Sequence, residues 1–450
     1  MHCSEWKVRS IFFITGKLWL IISFFPCLVW AQPKSNDSLL ENATLENVVR
    51  YAIQRNPELK NAVLDEEITE TIIRGRLADW YPQLNFNFVL QHNFQLPTAN
   101  FNGQFINTGL QNTSGAQLGL TQNIFNRDVI LASRTARDIR LQARQNTTRQ
   151  KINIAVLVSK AFYDVILTVQ QLQVIEEDIN RINTSLKDAF YQYQSGITDK
   201  TDYKRATIAL NNAKAQKKNG EESLKAKHIY LKALIGYPPS ANFELQYDTT
   251  KLKNEIYIDT LQAINYNSRV EYQLLQTQKT LQLYNLKYNQ WSFLPDVSLF
   301  GNYNLNYFNN KFSKIYSKSF PNSFAGLALS IPIFQGGKRI QEIKQSRLQL
   351  LQVDNSILNL ENNINTEYIT AQAAYKSNLY YYLTHTENVA LAKEVYEVIQ
   401  LQYRSGIKTY LEVINAETDL RTAQINLYNA LYQLLSSKID VQQSLGNIRY

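Results

Sequence analysis

Apolar residues recur at Val158, Phe162, Val165, Val169, Leu172, Ile175, Ile179, Ile182, Leu186, Ala189 and Tyr193. The mean step is about 3.5 residues, which predicts a helix that packs along one seam and supercoils left-handedly with its neighbour. Neither proline nor glycine interrupts Arg127 to Tyr193, so one helix can run unbroken for roughly 100 Å. A second seam follows through Leu379, Tyr382, His385, Val389, Ala392, Tyr396, Ile399 and Tyr403. His385 stands where Ile175 stands in the first seam, and reads as a packed residue rather than a proton switch.

The two seams end on nearly the same words. "QYQSGI" occupies 192–197 and "QYRSGI" occupies 402–407, an offset of 210 residues. Gly236 and Gly446, Phe125 and Phe334, Pro82 and Pro295, and Asn56 and Asn267 repeat in the same order at nearly the same offset. The chain is therefore an internal duplication of one long unit, too long for a solenoid repeat. Gly196 and Gly406 are expected to terminate the long helices. "TYLE" (Thr409 to Glu412) predicts a capping box for the next helix, and "DKTD" (Asp199 to Asp202) its counterpart. The expected repeats are 32–237 and 269–450, joined by a linker at 238–268. Each holds a long helix (127–193, 338–403), a tip (194–198, 404–408) and a return helix (199–237, 409–446).

Elsewhere the period changes to two. Leu84, Phe86, Phe88 and Leu90 alternate with Asn85, Asn87, Val89 and Gln91, and Ala116, Leu118 and Leu120 alternate similarly. Val297, Leu299, Tyr303 and Leu305 then answer Ala325, Leu327 and Leu329. Two β-hairpins are predicted, at about 82–126 and 295–334, with polar loops near Phe94–Thr113 and Phe308–Pro321. The strand lengths suit a membrane barrel, with Leu84, Phe86, Phe88, Leu90, Val297, Leu299, Leu327 and Leu329 facing lipid. Two soluble hairpins packed on the helices would give the same pattern. Four strands cannot close a barrel, and an open edge in lipid leaves main-chain groups unpaired. A barrel therefore requires several chains, and three copies leave room for a channel.

Composition narrows the chemistry. Lys7, Arg9 and Lys17 precede an apolar run from Leu18 to Ala31, which reads as a secretory signal over 1–31. A short membrane anchor, or a lipoprotein signal using Cys27 after Pro26, are the rivals. Both cysteines, Cys3 and Cys27, fall in that segment. The mature chain then has no disulfide, thiolate ligand or cysteine nucleophile. His92, His228 and His385 lack metal-ligand spacing. No catalytic, metal or cofactor site is expected. Loss of the leader lowers the formal charge from +9 to +7, and that charge is not clustered as nucleic-acid binding would want. Arg134, Arg137, Arg140, Arg144 and Arg149 read as a solvated helix face, with contact to anionic lipid headgroups as the alternative.

The opening helix "LENATLENVVRYAIQRNPELKNA" (40–62), the hairpins starting at "YP" and "LP", the exits "IFNR" and "IFQGGKR" and the twin tips resemble the TolC-like outer membrane efflux proteins. The resemblance spans nearly all of the mature chain. It implies a mainly α protein with membrane β structure. Long coiled-coil helices would form a periplasmic α-barrel, and two hairpins per chain would join a shared, trimeric twelve-stranded β-barrel in the outer membrane. It implies a homotrimer and a passive duct in tripartite efflux or type I secretion. The partners would be a periplasmic adaptor, an inner-membrane transporter and lipid. The tips Gly196, Ile197, Gly406 and Ile407 would dock the adaptor. Tyr403 and Lys408 would hold the tips shut, with Asp202, beside Thr201, as the acidic partner. The family's acidic ring position is Asn415 here, and Glu412, one turn earlier, could substitute. Asp202 and Glu412 also read simply as helix-capping carboxylates. A secreted coiled-coil spacer without a pore is the rival function.

Overall fold

A computed structural model describes residues 40, 42–248, 252, 256–259 and 262–450. The expected leader, with Cys3 and Cys27, lies outside the described residues, as does part of the expected linker.

Helix α1 (Leu45–Arg55) starts at Thr44, whose side chain accepts from Asn47 N–H. Asn56 ends α1 and caps α2 (Pro57–Ala78). Pro57 opens α2 at a position where its missing N–H removes no helical bond. The long helices are α3 (Arg127–Gln194, 68 residues) and α6 (Lys338–Arg404, 67 residues). Each is followed by a return helix, α4 (Lys200–Ile235) or α7 (Tyr410–Ser444). Helix α5 (Val270–Gln290) precedes the second hairpin, where α2 precedes the first. An 18-residue stretch of α3 is long and apolar enough to cross a membrane, but 61% of it is buried in the helix packing.

Four strands, β1 (Gln83–His92), β4 (Asn112–Phe125), β5 (Asp296–Asn309) and β6 (Ser319–Ser330), form an antiparallel sheet in the order β1-β4-β5-β6. The central pair β4–β5 joins the two repeats, and β1 and β6 are free edges. A ribbon of β2 (Thr98–Phe101) and β3 (Gln104–Asn107) rises between β1 and β4. The loops are shorter than their polarity suggests. Asn112, Thr113, Phe308 and Asn309 remain in the ladder, because main-chain pairing accepts polar side chains once the strands are aligned.

At the strand-to-helix junction Arg339 is buried. Its guanidinium donates to the Ser292 and Pro332 carbonyls and lies 4.8 Å from the Phe293 ring centre. It thus ties the exit of β6 to the entry of β5. The main core lies farther down. Val48, Ala52 and Leu59 meet Val158, Phe162 and Ile166 of α3, Leu231 and Ile235 of α4, and Leu434 and Leu435 of α7. Tyr375 anchors the linker to it: its hydroxyl donates to the Ile256 carbonyl and accepts from Ile258 N–H.

Gly236 and Gly446 end the return helices in the left-handed region, at φ of 68° and 73°. A Cβ at Gly236 would lie 2.7 Å from the Arg55 carbonyl oxygen, and one at Gly446 2.6 Å from that of Ser268. The duplicated glycines therefore serve a duplicated close approach of backbones.

Candidate gate at the paired helix tips

Both tips have the same construction. Gly196 (φ 70°) and Gly406 (φ 76°) follow the last helical turns. Ile197 N–H reaches the Gln192 carbonyl and Ile407 N–H reaches the Gln402 carbonyl, each at 2.9 Å. Gly196 N–H and Gly406 N–H bond the Tyr193 and Tyr403 carbonyls. This is the Schellman arrangement, which satisfies the last helical carbonyls. Ile197 and Ile407 project outward, 73% and 72% exposed.

The caps differ between the repeats. Thr409 and Glu412 form the reciprocal capping box that "TYLE" predicts. The "DKTD" counterpart is not reciprocal: Asp199 accepts from the N–H and hydroxyl of Thr201, and Asp202 takes no part. The threonine at 201 captures the capping carboxylate and leaves Asp202 half-buried beside it.

Tyr403 is buried against Ala206, Tyr410 and Val413. Its hydroxyl donates to Gln192 Oε1 at 3.0 Å, linking the second tip to the first. Burial pushes the Tyr403 phenol up to about 12, and the charges of Asp202 and Asp188 act in the same direction. Lys408 does not meet Asp202 within the chain. Its Nζ donates to Glu412 Oε1 at 2.6 Å, and this bond holds the Glu412 carboxyl below its usual range. Glu412 stands in the first turn of α7, and Lys408, in the tip turn just before the cap Thr409, reaches it ahead of any partner across the hairpins. Asn415 and Thr201 are exposed.

A second set of groups escapes a reading of the sequence. Between α3 and α7 runs a ladder of polar contacts: Lys160–Asp440 at 2.6 Å, Gln171–Asn429 at 2.7 Å, Arg421–Asp178 at 3.0 Å and Ser185–Glu417 at 2.9 Å. Asp178 is fully buried, Glu417 nearly so. Asp178 also accepts from Arg181 at 3.3 Å, and the Arg181 guanidinium lies 5.9 Å from the Tyr396 ring centre on α6. Gln171, Asp178 and Ser185 are spaced by heptads beside the apolar seam, and that phase is the one signal of them in the sequence.

The register of the sheet gathers the other candidates. Leu84, Phe86, Phe88 and Leu90 pair with Leu120, Leu118, Ala116 and Ser114. Leu120 pairs onward with Gly301, and Gly301 with Ala325. Val297 and Leu299 pair with Leu329 and Leu327. All eight candidate positions thus share one face. The other face is mainly polar, with Gln117 donating to Asn302 at 2.8 Å and Asn304 to Asn322 at 2.7 Å, though Phe300 and Phe324 meet edge to face on it. Among the described residues, no group of histidine, cysteine and carboxylate side chains could hold a metal ion. The arrangement offers an apolar sheet face, a mainly polar sheet face and a pair of tips joined by a hydrogen bond.

The family model described as "Outer membrane efflux protein" matches residues 48–237 and 267–447. Outer membrane protein TolC of Escherichia coli (strain K12) is 22% identical over 452 residues, covering 94% of this chain and 86% of the relative. The alkaline protease secretion protein AprF of Pseudomonas aeruginosa is 19% identical over 399 residues, covering 86% of this chain and 81% of the relative. Among solved structures, the outer membrane protein VceC of Vibrio cholerae aligns with a TM-score of 0.72 at 15% identity, covering 89% of this chain and 96% of that one.

Proposed function

The chain belongs to the outer membrane efflux protein family, and from that premise we propose that three copies form a passive export duct gated at its helix tips. The protein resides in the outer membrane and serves efflux or secretion. The finer reading is a homotrimer in which each protomer gives four strands to a twelve-stranded barrel. The helices extend into the periplasm, where an adaptor and an inner-membrane transporter engage the tips. Cargo, whether small molecules or secreted polypeptides, moves by the transporter's work. The duct itself has no catalytic step.

One observation carries this reading. The sheet has an apolar face, a mainly polar face and two unpaired edges, β1 and β6. In hydrocarbon each unpaired main-chain group costs several kcal/mol, and neighbouring copies supply the missing partners. Helix α6 adds support. Leu348, Leu351, Leu358, Ile369 and Leu391 lie exposed along it at helical spacing, an apolar stripe that a neighbouring helix would cover. A pore-free spacer would need neither feature.

Mass measurement on the detergent-solubilised protein tests the assembly. Three chains are expected, and a monomer retaining its strand content overturns the reading. Planar-bilayer recording tests the gate. Tyr403→Phe combined with Lys408→Ser removes the bond to Gln192 and the cation beside the tip. Conductance should rise while the trimer persists and its stability falls by no more than about the worth of one hydrogen bond. Unchanged conductance in an intact trimer assigns both residues to packing and capping alone.

A further inference from the structure

Two kinds of interface hold the helices of one protomer together. Within each hairpin the seam is apolar: Ile182 meets Leu210 and Ala213, and Tyr396 meets Ala416 and Leu420. Between the hairpins, α3 and α7 share the main apolar core at one end and from there toward the tips meet through the polar ladder, in which each bond joins residues more than 230 positions apart. Apolar seams resist opening because parting them exposes hydrocarbon to water. A polar ladder can exchange its bonds for bonds to water at small net cost. The plane between α3 and α7 is therefore the natural place for the hairpins to part.

At the centre of that plane the charges are unequally matched. Arg421 and Arg181 both donate to Asp178. Glu417 lies 3% exposed and holds the Ser185 hydroxyl, and among the described residues no cation bonds to it. We propose that Glu417 is a proton-operated latch between the two hairpins, closed when its carboxyl is neutral and released when it ionises.

The groups facing Glu417 are Asp178, Arg181 and Ser185 on α3, Tyr396 on α6, and Tyr410 and Arg421 on its own helix. Burial pushes the Glu417 carboxyl up to about 7. The Asp178 charge adds to this, while Ser185, Arg181 and Arg421 oppose it. In a parted, wetted seam the carboxyl returns to the ordinary value of about 4.3. The packed seam thus binds the proton more tightly, so falling pH favours packing and rising pH through about 7 favours release. No other cofactor or ligand is needed; the proton comes from solvent. The latch rests on the gated-duct reading for its consequence, though not for its chemistry.

Spin labels at Lys200→Cys and Arg404→Cys, with Cys3 and Cys27 replaced by serine, report the spacing of the two tips by electron–electron resonance. Labelled chains are diluted with unlabelled chains in the intact assembly. Between about pH 8 and about pH 5 the ratio of short to long spacings should rise tenfold or more. Glu417→Gln should hold the short spacing throughout. Ser185→Ala removes a bond that favours the ionised form and should move the midpoint to higher pH. Infrared pH-difference spectra should show a protonated carboxyl band that disappears as pH rises through about 7 and is missing in Glu417→Gln. A spacing indifferent to pH, or a response that survives Glu417→Gln, overturns the latch. If spacing follows Glu417 but conductance ignores it, the latch stands and the gated duct falls. If Tyr403→Phe with Lys408→Ser raises conductance while spacing ignores pH, the duct stands and the latch falls.

Discussion

Tyr403 donates its hydroxyl proton to Gln192 across the two hairpins, whereas Tyr193, its counterpart in the first repeat, is exposed. The duplicated hexapeptide is thus used asymmetrically: the first copy supplies the acceptor and the second supplies the donor. Tyr403→Phe should cost about 1 kcal/mol, the usual net worth of one hydrogen bond. Tyr193→Phe should cost nothing measurable. Denaturant unfolding of the two variants side by side checks the asymmetry.

Phe86 and Asn87 are neighbours on opposite faces of β1, paired with Leu118 and Gln117. Phe86→Arg should destabilise membrane insertion by about 2–4 kcal/mol, read as a loss of assembled protein in the outer membrane. Asn87→Arg should be tolerated. Equal tolerance of both changes contradicts a lipid-facing assignment.

Of the glycines at positive φ, the four that follow the long and return helices divide into two classes. An alanine at Gly196 or Gly406 meets open space, so only backbone strain of about 1–2 kcal/mol opposes it. Gly236→Ala and Gly446→Ala add a collision with the Arg55 or Ser268 carbonyl, and should be the more destabilising pair by thermal melting. The order of the four melting temperatures is the test.

Asp178 is buried with two arginines. Arg421→Met removes one of them and should cost about 1.5–3 kcal/mol, the worth of a charge-assisted bond. Arg181 remains to partner the carboxylate. Lys160→Met, at the half-exposed end of the same ladder, should cost less than about 1 kcal/mol. Unfolding free energies that rank the two in the opposite order would show that burial does not govern the ladder.

The sequence makes the seams, the hairpins and the tips legible because each depends on local periodicity. A 3.5-residue step needs no knowledge of the partner helix, and "SGI" declares a helix end by itself. The eight apolar sheet positions are legible for the same reason, since alternation assigns a face before any strand is paired. Asp178 and Glu417 are not legible. Beyond the heptad phase of Asp178, nothing local marks them for burial, and only α7 lying against α3 buries them, through a bond joining positions 243 apart. The partner of Lys408 is missed differently. Asp202 is the expected acid, but Glu412, four residues on in the first turn of α7, needs no tertiary contact to reach Lys408 in the tip turn. The "DKTD" cap departs from its twin because Thr201 satisfies Asp199 before Asp202 can reciprocate.

The unpaired edges β1 and β6 also bear on how the protein is made. On the proposed shared barrel, a lone chain would bring ten residues of β1 and twelve of β6 to the bilayer without partners for their outer main-chain groups. Hydrocarbon cannot solvate those groups, so a single chain has no stable transmembrane state to wait in. Encounter between chains must come before or during insertion. The rate of appearance of embedded protein should therefore climb more steeply than in proportion to the supply of newly exported chains, and slow synthesis should leave a pool stranded in the periplasm, exposed to proteases.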